Sequence, residues 1–138
     1  MILIVDSWGW LVLEDHKDPR HQTVSRFYRA CKQDHWRIVT SDYVLCEVIT
    51  RLFQRRPFLE AKRFMEGAFQ ASEEGHLTLA RVNDERFRAA WGLRLRYDDQ
   101  PGISFPDLTS FTIMREMGIE TVLTQDRHFR IAGFTLVP

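Results

Sequence analysis

The chain has only two cysteines in 138 residues, Cys31 and Cys46, and they form no C-x-x-C pair. Zinc held by cysteines is therefore excluded, and an intracellular chain would keep both thiols reduced. Its five histidines include no H-x-x-x-H spacing, so a histidine metal site has little support. Each histidine is expected to be a surface or packed residue. Carboxylate is the only ligand type in a suggestive arrangement.

Long apolar runs are also absent. None approaches the roughly 18 residues that cross a bilayer, and the first run, Ile2–Val5, is ended by Asp6 with no basic leader ahead of it. These features predict a soluble, cytoplasmic protein with no membrane association. The formal net charge is zero, which argues against the broad basic face of a protein that binds duplex DNA non-specifically.

Lysine is scarce, with three lysines against sixteen arginines. The planar guanidinium group suits bidentate contact with phosphate or carboxylate. A compositional bias toward arginine explains the same count equally well. The arginine content therefore carries little independent weight.

The pattern that is present is an alternation of short apolar strands with amphipathic helices. Strands are predicted at 2–5, 37–40, 77–79, 121–124 and 134–137, with helical segments between them. A length of 138 residues and a hydrophobic fraction of 44% fit one domain spanning residues 1–138. The expected fold class is α/β, a three-layer α/β/α sandwich with a mostly parallel central sheet.

Three acids are placed where such a sheet binds ligands. Asp6 ends the first strand, Asp126 follows the strand at 121–124, and Asp107 opens the helix before that strand. Open parallel sheets bind ligands beyond the carboxyl ends of their strands, so these side chains are expected to converge. Clustered carboxylates repel one another unless a cation lies between them. Mg²⁺ or Mn²⁺ is the simplest candidate, and phosphate-ester chemistry is its commonest use.

Each acid also has an ordinary structural explanation. Asp6 and Asp126 can cap the helical turns that follow their strands, and Asp107 can belong to a capping box opened by Ser104. Glu47 lies on the flank of the apolar stripe of a helix that Ser41 caps, where the pattern alone favours a solvated side chain.

The four acids in their sequence context resemble the PIN-domain nucleases, and especially the VapC-like toxins of bacterial toxin–antitoxin pairs. The matching segments are Ile4-Val5-Asp6-Ser7, Thr40-Ser41-Asp42-Tyr43 leading to Glu47, Ser104-Phe105-Pro106-Asp107 in a helix ending at Gly118, and Leu123-Thr124-Gln125-Asp126-Arg127-His128-Phe129. Order and spacing agree over nearly the whole chain. The segment between residues 55 and 100 carries no motif, and Phe105-Pro106 departs from the commoner leucine and threonine of the family.

This resemblance implies a metal-dependent endoribonuclease that is the toxin of a toxin–antitoxin pair. Asp6, Asp107 and Asp126 would hold Mg²⁺ or Mn²⁺, and Glu47 would bind the metal or orient the attacking water. RNA would be the substrate, and a homodimer and a small cognate antitoxin would be the partners. The candidate phosphate contacts are Arg51, Arg55, Arg56, Arg127 and His128, for which solvated positions are equally expected.

Two alternatives remain within the family: an RNA-processing PIN nuclease that is not a toxin, and a catalytically silent PIN-like binding module. Two other phosphate-handling classes fit less well. A haloacid-dehalogenase phosphatase needs a second aspartate two residues after the first, where this chain has Trp8, and a receiver domain needs a late lysine, whereas none follows Lys62. Among the aromatic residues, Trp8, Trp10, Phe27 and Tyr43 are expected in the core rather than stacked on bases.

Overall fold

The fold, given by a computed structural model that describes residues 1–138, alternates five strands with seven helices. The strands are β1 (Ile2–Val5), β2 (Arg37–Ser41), β3 (Thr78–Ala80), β4 (Thr121–Leu123) and β5 (Thr135–Val137). The helices are α1 (Ser7–Glu14), α2 (His21–Gln33), α3 (Asp42–Arg55), α4 (Phe58–Glu73), α5 (Asp84–Arg96), α6 (Phe105–Met117) and α7 (Arg127–Ile131).

All five strands are parallel and are ordered β3-β2-β1-β4-β5, with β1 at the centre of the sheet. Ile4 lies opposite Val39 on one side and Val122 on the other, and Val5 lies opposite Leu123. The carboxyl ends of β1 and β4 therefore coincide. Asp6 and Thr124, the residues that follow these two strands, are brought to the same edge of the sheet.

Successive residues of the central strands face opposite sides, because side chains alternate along a strand. Leu3 and Val5 pack into a core formed with α1 to α4, whereas Ile4 packs into a second core formed mainly with α5 to α7. Phe111 and Phe129, both fully buried, meet edge to face in the second core. Two cores on the two faces of one parallel sheet confirm the three-layer α/β/α sandwich.

The element boundaries differ from the sequence expectation by one or two residues. The helical segment between the first two strands begins at His21 and ends at Gln33, and His35 then adopts a left-handed conformation with φ 58° that a continuing helix does not allow. The third strand begins and ends one residue later than expected, and the fifth begins one residue later. No helix combines the length and apolar character needed to cross a membrane.

Candidate metal centre

Asp6 lies at the centre of the sheet edge and is almost fully buried, with 8% of its surface exposed. It precedes α1 but makes no capping hydrogen bond through its side chain, so helix capping does not explain its presence. The hydroxyl of Thr124 donates to its Oδ2 atom over 3.0 Å. Burial raises the pKa of Asp6 to about 6, and the neighbouring charges of Glu47 and Asp126 act in the same direction.

Asp107 occupies the first turn of α6. The hydroxyl of Ser104 caps this helix by accepting the backbone N–H of Asp107 over 3.2 Å, and Pro106 fits the same turn because its missing N–H needs no partner there. Burial raises the pKa of Asp107 to about 7, and the charges of Asp6 and Asp126 add to this effect. Asp6 and Asp126 are thus close enough for their charges to act on Asp107.

Asp126 does cap a helix, since its Oδ1 atom accepts the backbone N–H of His128 over 2.9 Å at the start of α7. The same oxygen lies 2.9 Å from Nδ1 of the His128 ring. Ligand atoms of Asp107, Asp126 and His128 all lie within 4.8 Å of one another. Capping and membership of an acidic cluster are therefore compatible roles for this residue.

Glu47 extends from α3 toward the other acids and is 37% exposed at its side chain. Its charge contributes to the raised pKa of Asp6, so it borders the cluster although it is partly solvated. Its Oε1 atom forms an ion pair of 2.9 Å with Nη2 of Arg51, one helical turn further along. The four predicted acids consequently lie at one edge of the sheet.

The donor set suits a hard divalent cation. No lysine or arginine forms an ion pair with Asp6 or Asp107, and two carboxyl groups have raised pKa values through burial and mutual repulsion. A cation bound by their oxygen atoms would relieve both effects. His128 contributes a nitrogen to the tightest group of candidate ligands, which consists of Asp107, Asp126 and His128 and does not include Asp6. The histidine spacing of the sequence did not indicate this role. The sequence feature that could have predicted this contact is the position of His128 two residues after Asp126.

The predicted phosphate contacts differ in their surroundings. Arg51 pairs with Glu47 beside the cluster, while Arg55 and Arg127 are exposed and form no ion pair. Arg56 does not suit a phosphate contact. Its guanidinium group binds Asp15, Glu60 and a backbone carbonyl, and so ties the end of α3 to the end of α1.

Another arginine, Arg20, supports the loop before Asp126. Its Nη1 atom donates to the side-chain oxygen of Gln125 over 3.0 Å, and its guanidinium carbon lies 5.2 Å from the centre of the Trp8 ring. Asp18 holds the remaining edge of the guanidinium group through Nε and Nη2. The loop between α1 and α2 is thereby linked to the residue adjoining Asp126. Nothing in the sequence pattern indicated this contact.

Comparison with known proteins identifies the family to which this protein belongs. The model of the PIN domain family matches residues 4–134, and the chain belongs to the PIN-domain family. It is 31% identical over 136 residues to the 23S rRNA-specific endonuclease VapC20 of Mycobacterium tuberculosis, covering 99% of this chain and 98% of that protein. The expected family and the resemblance to VapC toxins are confirmed.

Solved structures agree with this assignment. The crystal structure of Mycobacterium tuberculosis VapC20, described as a sarcin-ricin loop cleaving toxin, superposes with a TM-score of 0.82 at 30% identity and 96% coverage of both chains. FitAcB from Neisseria gonorrhoeae superposes with a TM-score of 0.68 at 15% identity, covering 99% of this chain and 97% of that chain. The second likeness concerns the fold alone.

Proposed function

We propose that this chain is a metal-dependent endoribonuclease and the toxin of a toxin–antitoxin pair, in which residues 1–138 act as one nuclease domain in the cytoplasm. The proposal rests on the position of Asp6, Glu47, Asp107 and Asp126 at one edge of the sheet. Asp6 and Asp107 have raised pKa values, and no lysine or arginine forms an ion pair with either of them. Full-length similarity to VapC20 supports RNA as the substrate. A structured loop of large-subunit ribosomal RNA is the first candidate.

In this proposal Asp6, Asp107 and Asp126 hold Mg²⁺ or Mn²⁺. When bound, such a cation supplies Lewis acidity toward water and toward the scissile phosphate. Glu47, which remains partly exposed, orients the attacking water, and Thr124 keeps the carboxylate of Asp6 in place through its 3.0 Å hydrogen bond. Arg51, Arg55 and Arg127 contact phosphates on either side of the cut.

Cleavage assays with defined variants test this function. We expect the wild-type chain to cut ribosomal RNA internally with Mn²⁺ or Mg²⁺ and to lose activity with chelator. Asp6→Asn and Asp107→Asn each retain side-chain shape while removing ligand charge, so a loss of at least a hundredfold in rate is expected. Asp84→Asn is the matched control, since Asp84 is 78% exposed and pairs only with Arg88. Near-wild-type rates in the two site variants would exclude this function, and intact folding without any cleavage would favour the silent binding module.

For the cognate antitoxin we propose the surface of α3 and α4. The segment between Ser41 and Ser72 has an excess of large apolar residues. Met65 and Phe64 are packed inward, but Phe53, Phe58 and Phe69 are 40%, 66% and 51% exposed. The rings of Phe53 and Phe58 lie 5.3 Å apart, and exposed apolar side chains that adjoin one another mark candidate interaction sites. Co-expression with a candidate antitoxin, followed by co-purification that Phe58→Asp abolishes, tests this assignment.

For the homodimer we propose the outer face of α5. Phe87, Trp91 and Leu95 follow one another at intervals of four residues and are 46%, 55% and 59% exposed, so they form one apolar stripe along the helix. Packing against a second copy would bury it. Light scattering should show a dimer for the wild type and a monomer for Trp91→Asp, and a wild-type monomer would exclude the dimer.

A further inference from the structure

A shallow trough adjoins the acidic cluster on the α3 side. It has a volume of about 450 Å³ and is lined chiefly by Tyr43, Cys46, Glu47, Thr50, Gln54 and Pro106. Glu47 belongs both to the trough and to the cluster, and Pro106 directly precedes Asp107. The trough is therefore continuous with the site where the phosphate would be cut.

The α3 side of the trough is one face of the helix. Tyr43, Glu47, Thr50 and Gln54 are separated by four, three and four residues, the spacing that aligns side chains along a helix. From Tyr43 to Gln54 this face extends about 16 Å at a rise of 1.5 Å per residue. A groove of that length and volume accommodates more than one nucleotide of an extended strand.

Tyr43 distinguishes this trough from an ordinary surface depression. The sequence placed it in the core, but the structure does not. Trp8, Trp10 and Phe27 all belong to the first core, whereas the half-buried ring of Tyr43 belongs to neither core and has no aromatic neighbour. Its hydroxyl makes no hydrogen bond within the chain. The ring is positioned by the helix, and its exposed surface faces the trough.

Some polar groups of the trough already have partners within the chain and others do not. The hydroxyl of Thr50 donates a hydrogen bond to the carbonyl of Cys46 over 2.8 Å, and Nη2 of Arg51 forms an ion pair with Glu47. The side-chain amide of Gln54 is exposed and makes no hydrogen bond within the chain. An amide offers a donor and an acceptor together, which suits the edge of a nucleobase.

We propose that the trough binds the single-stranded RNA adjoining the scissile phosphate, with one base stacked on Tyr43 and a nucleotide further along the strand in contact with the amide of Gln54. This inference rests on the proposed endoribonuclease function and names the side chains through which that site selects its substrate. Aromatic stacking tolerates any base, so Tyr43 supplies affinity, whereas hydrogen bonds to base edges supply sequence preference. Tyr43 and Gln54 thereby have separable roles.

The test uses the full chain, Mn²⁺ and a hairpin RNA whose single-stranded loop is randomised over eight positions, with sequencing of the product ends. Tyr43→Leu removes the ring but keeps an apolar side chain, and we expect it to raise KM about tenfold with little change in kcat. Tyr43→Phe keeps the ring and should restore the wild-type KM. Both variants should bind Mn²⁺ by calorimetry as the wild type does, because neither touches a proposed metal ligand.

A second variant is made at Gln54. Its side chain is exposed, so its replacement should leave the fold intact. Gln54→Ala should flatten base preference at one position beside the cut. Gln70→Ala is the matched control, because that exposed glutamine on α4 binds only Glu74. A wild-type KM in Tyr43→Leu, or an unchanged cleavage profile in Gln54→Ala, overturns this inference while leaving the nuclease function intact. A wild-type chain that binds no Mn²⁺ and cuts no RNA removes the proposed function and this inference with it.

Discussion

The buried carboxylate of Asp6 should destabilise the metal-free protein at neutral pH, and Asp6→Asn should relieve that cost. Burial raises the pKa of Asp6 to about 6 from an ordinary value of 3.8. The folded state therefore holds a proton that the unfolded state releases between about pH 4 and pH 6. Stability falls as pH rises through this window, and the loss is complete above the folded-state pKa.

The magnitude follows from the same two pKa values. At 1.36 kcal/mol per pH unit, their difference corresponds to about 3 kcal/mol. Asp6 is only 8% exposed, so solvent screening reduces this figure little. In Asp6→Asn the amide oxygen can still accept the hydroxyl of Thr124, which keeps the local packing. At pH 7.5 without metal, the variant should be more stable by about 2 to 3 kcal/mol, on the order of 10 °C in Tm.

Urea unfolding and thermal scans at pH 4 and pH 7.5, with chelator and with Mn²⁺, check this prediction. Most of the difference between variant and wild type should have disappeared at pH 4. Mn²⁺ should stabilise the wild type by about 3 kcal/mol at one hundred times its Kd and the variant far less. The exposed Asp84→Asn serves as control and should show neither effect. An Asp6→Asn protein that is less stable than wild type at pH 7.5, or equally shifted at both pH values, would refute the reasoning.

Two further predictions concern the neighbours of this carboxylate. His128→Ala removes the ring that lies 2.9 Å from Asp126. It should weaken Mn²⁺ binding about tenfold by calorimetry and leave Tm nearly unchanged. An unaltered Kd would show that the ring neither binds the cation nor orients Asp126. Gly9→Ala places a Cβ atom 2.8 Å from the carbonyl oxygen of Leu123 and should cost about 1 to 3 kcal/mol in urea unfolding. Gly92→Ala, where the added atom meets open space, should instead be neutral or slightly stabilising.

The sequence predicted the parts of this molecule that depend on local pattern. Apolar runs marked the strands, and Ser41 and Ser104 marked two helix starts through side-chain caps that the structure contains. The convergence of acids was also predictable, because a parallel sheet brings the residues that follow its strands to one edge. Strands, helix caps and the residues that follow parallel strands can all be located without knowing which distant side chains are in contact.

The remaining features depend on contacts between distant segments. The Arg20–Gln125 hydrogen bond joins residues 105 positions apart, and no periodicity encodes such a pair. Tyr43 looks like a core aromatic in sequence, yet its place on α3 turns it toward the trough. Arg56 looks equivalent to Arg55, but two acids from other turns surround it. Tertiary packing decides each of these cases.

The acidic centre depends on strand register as much as on its ligands. Val5 pairs with Leu123, which sets Asp6 beside Thr124, and the hydroxyl of Thr124 in turn accepts the backbone N–H of Asp126 over 3.1 Å. A slip of one residue would turn β4 to the opposite face and separate these groups. Gly9 allows α1 to lie directly against the end of β4, so the helix that follows Asp6 holds the strand that leads to Asp126. The repulsion between the carboxylates is therefore opposed by backbone packing at the sheet edge, and this packing holds the acidic cluster together.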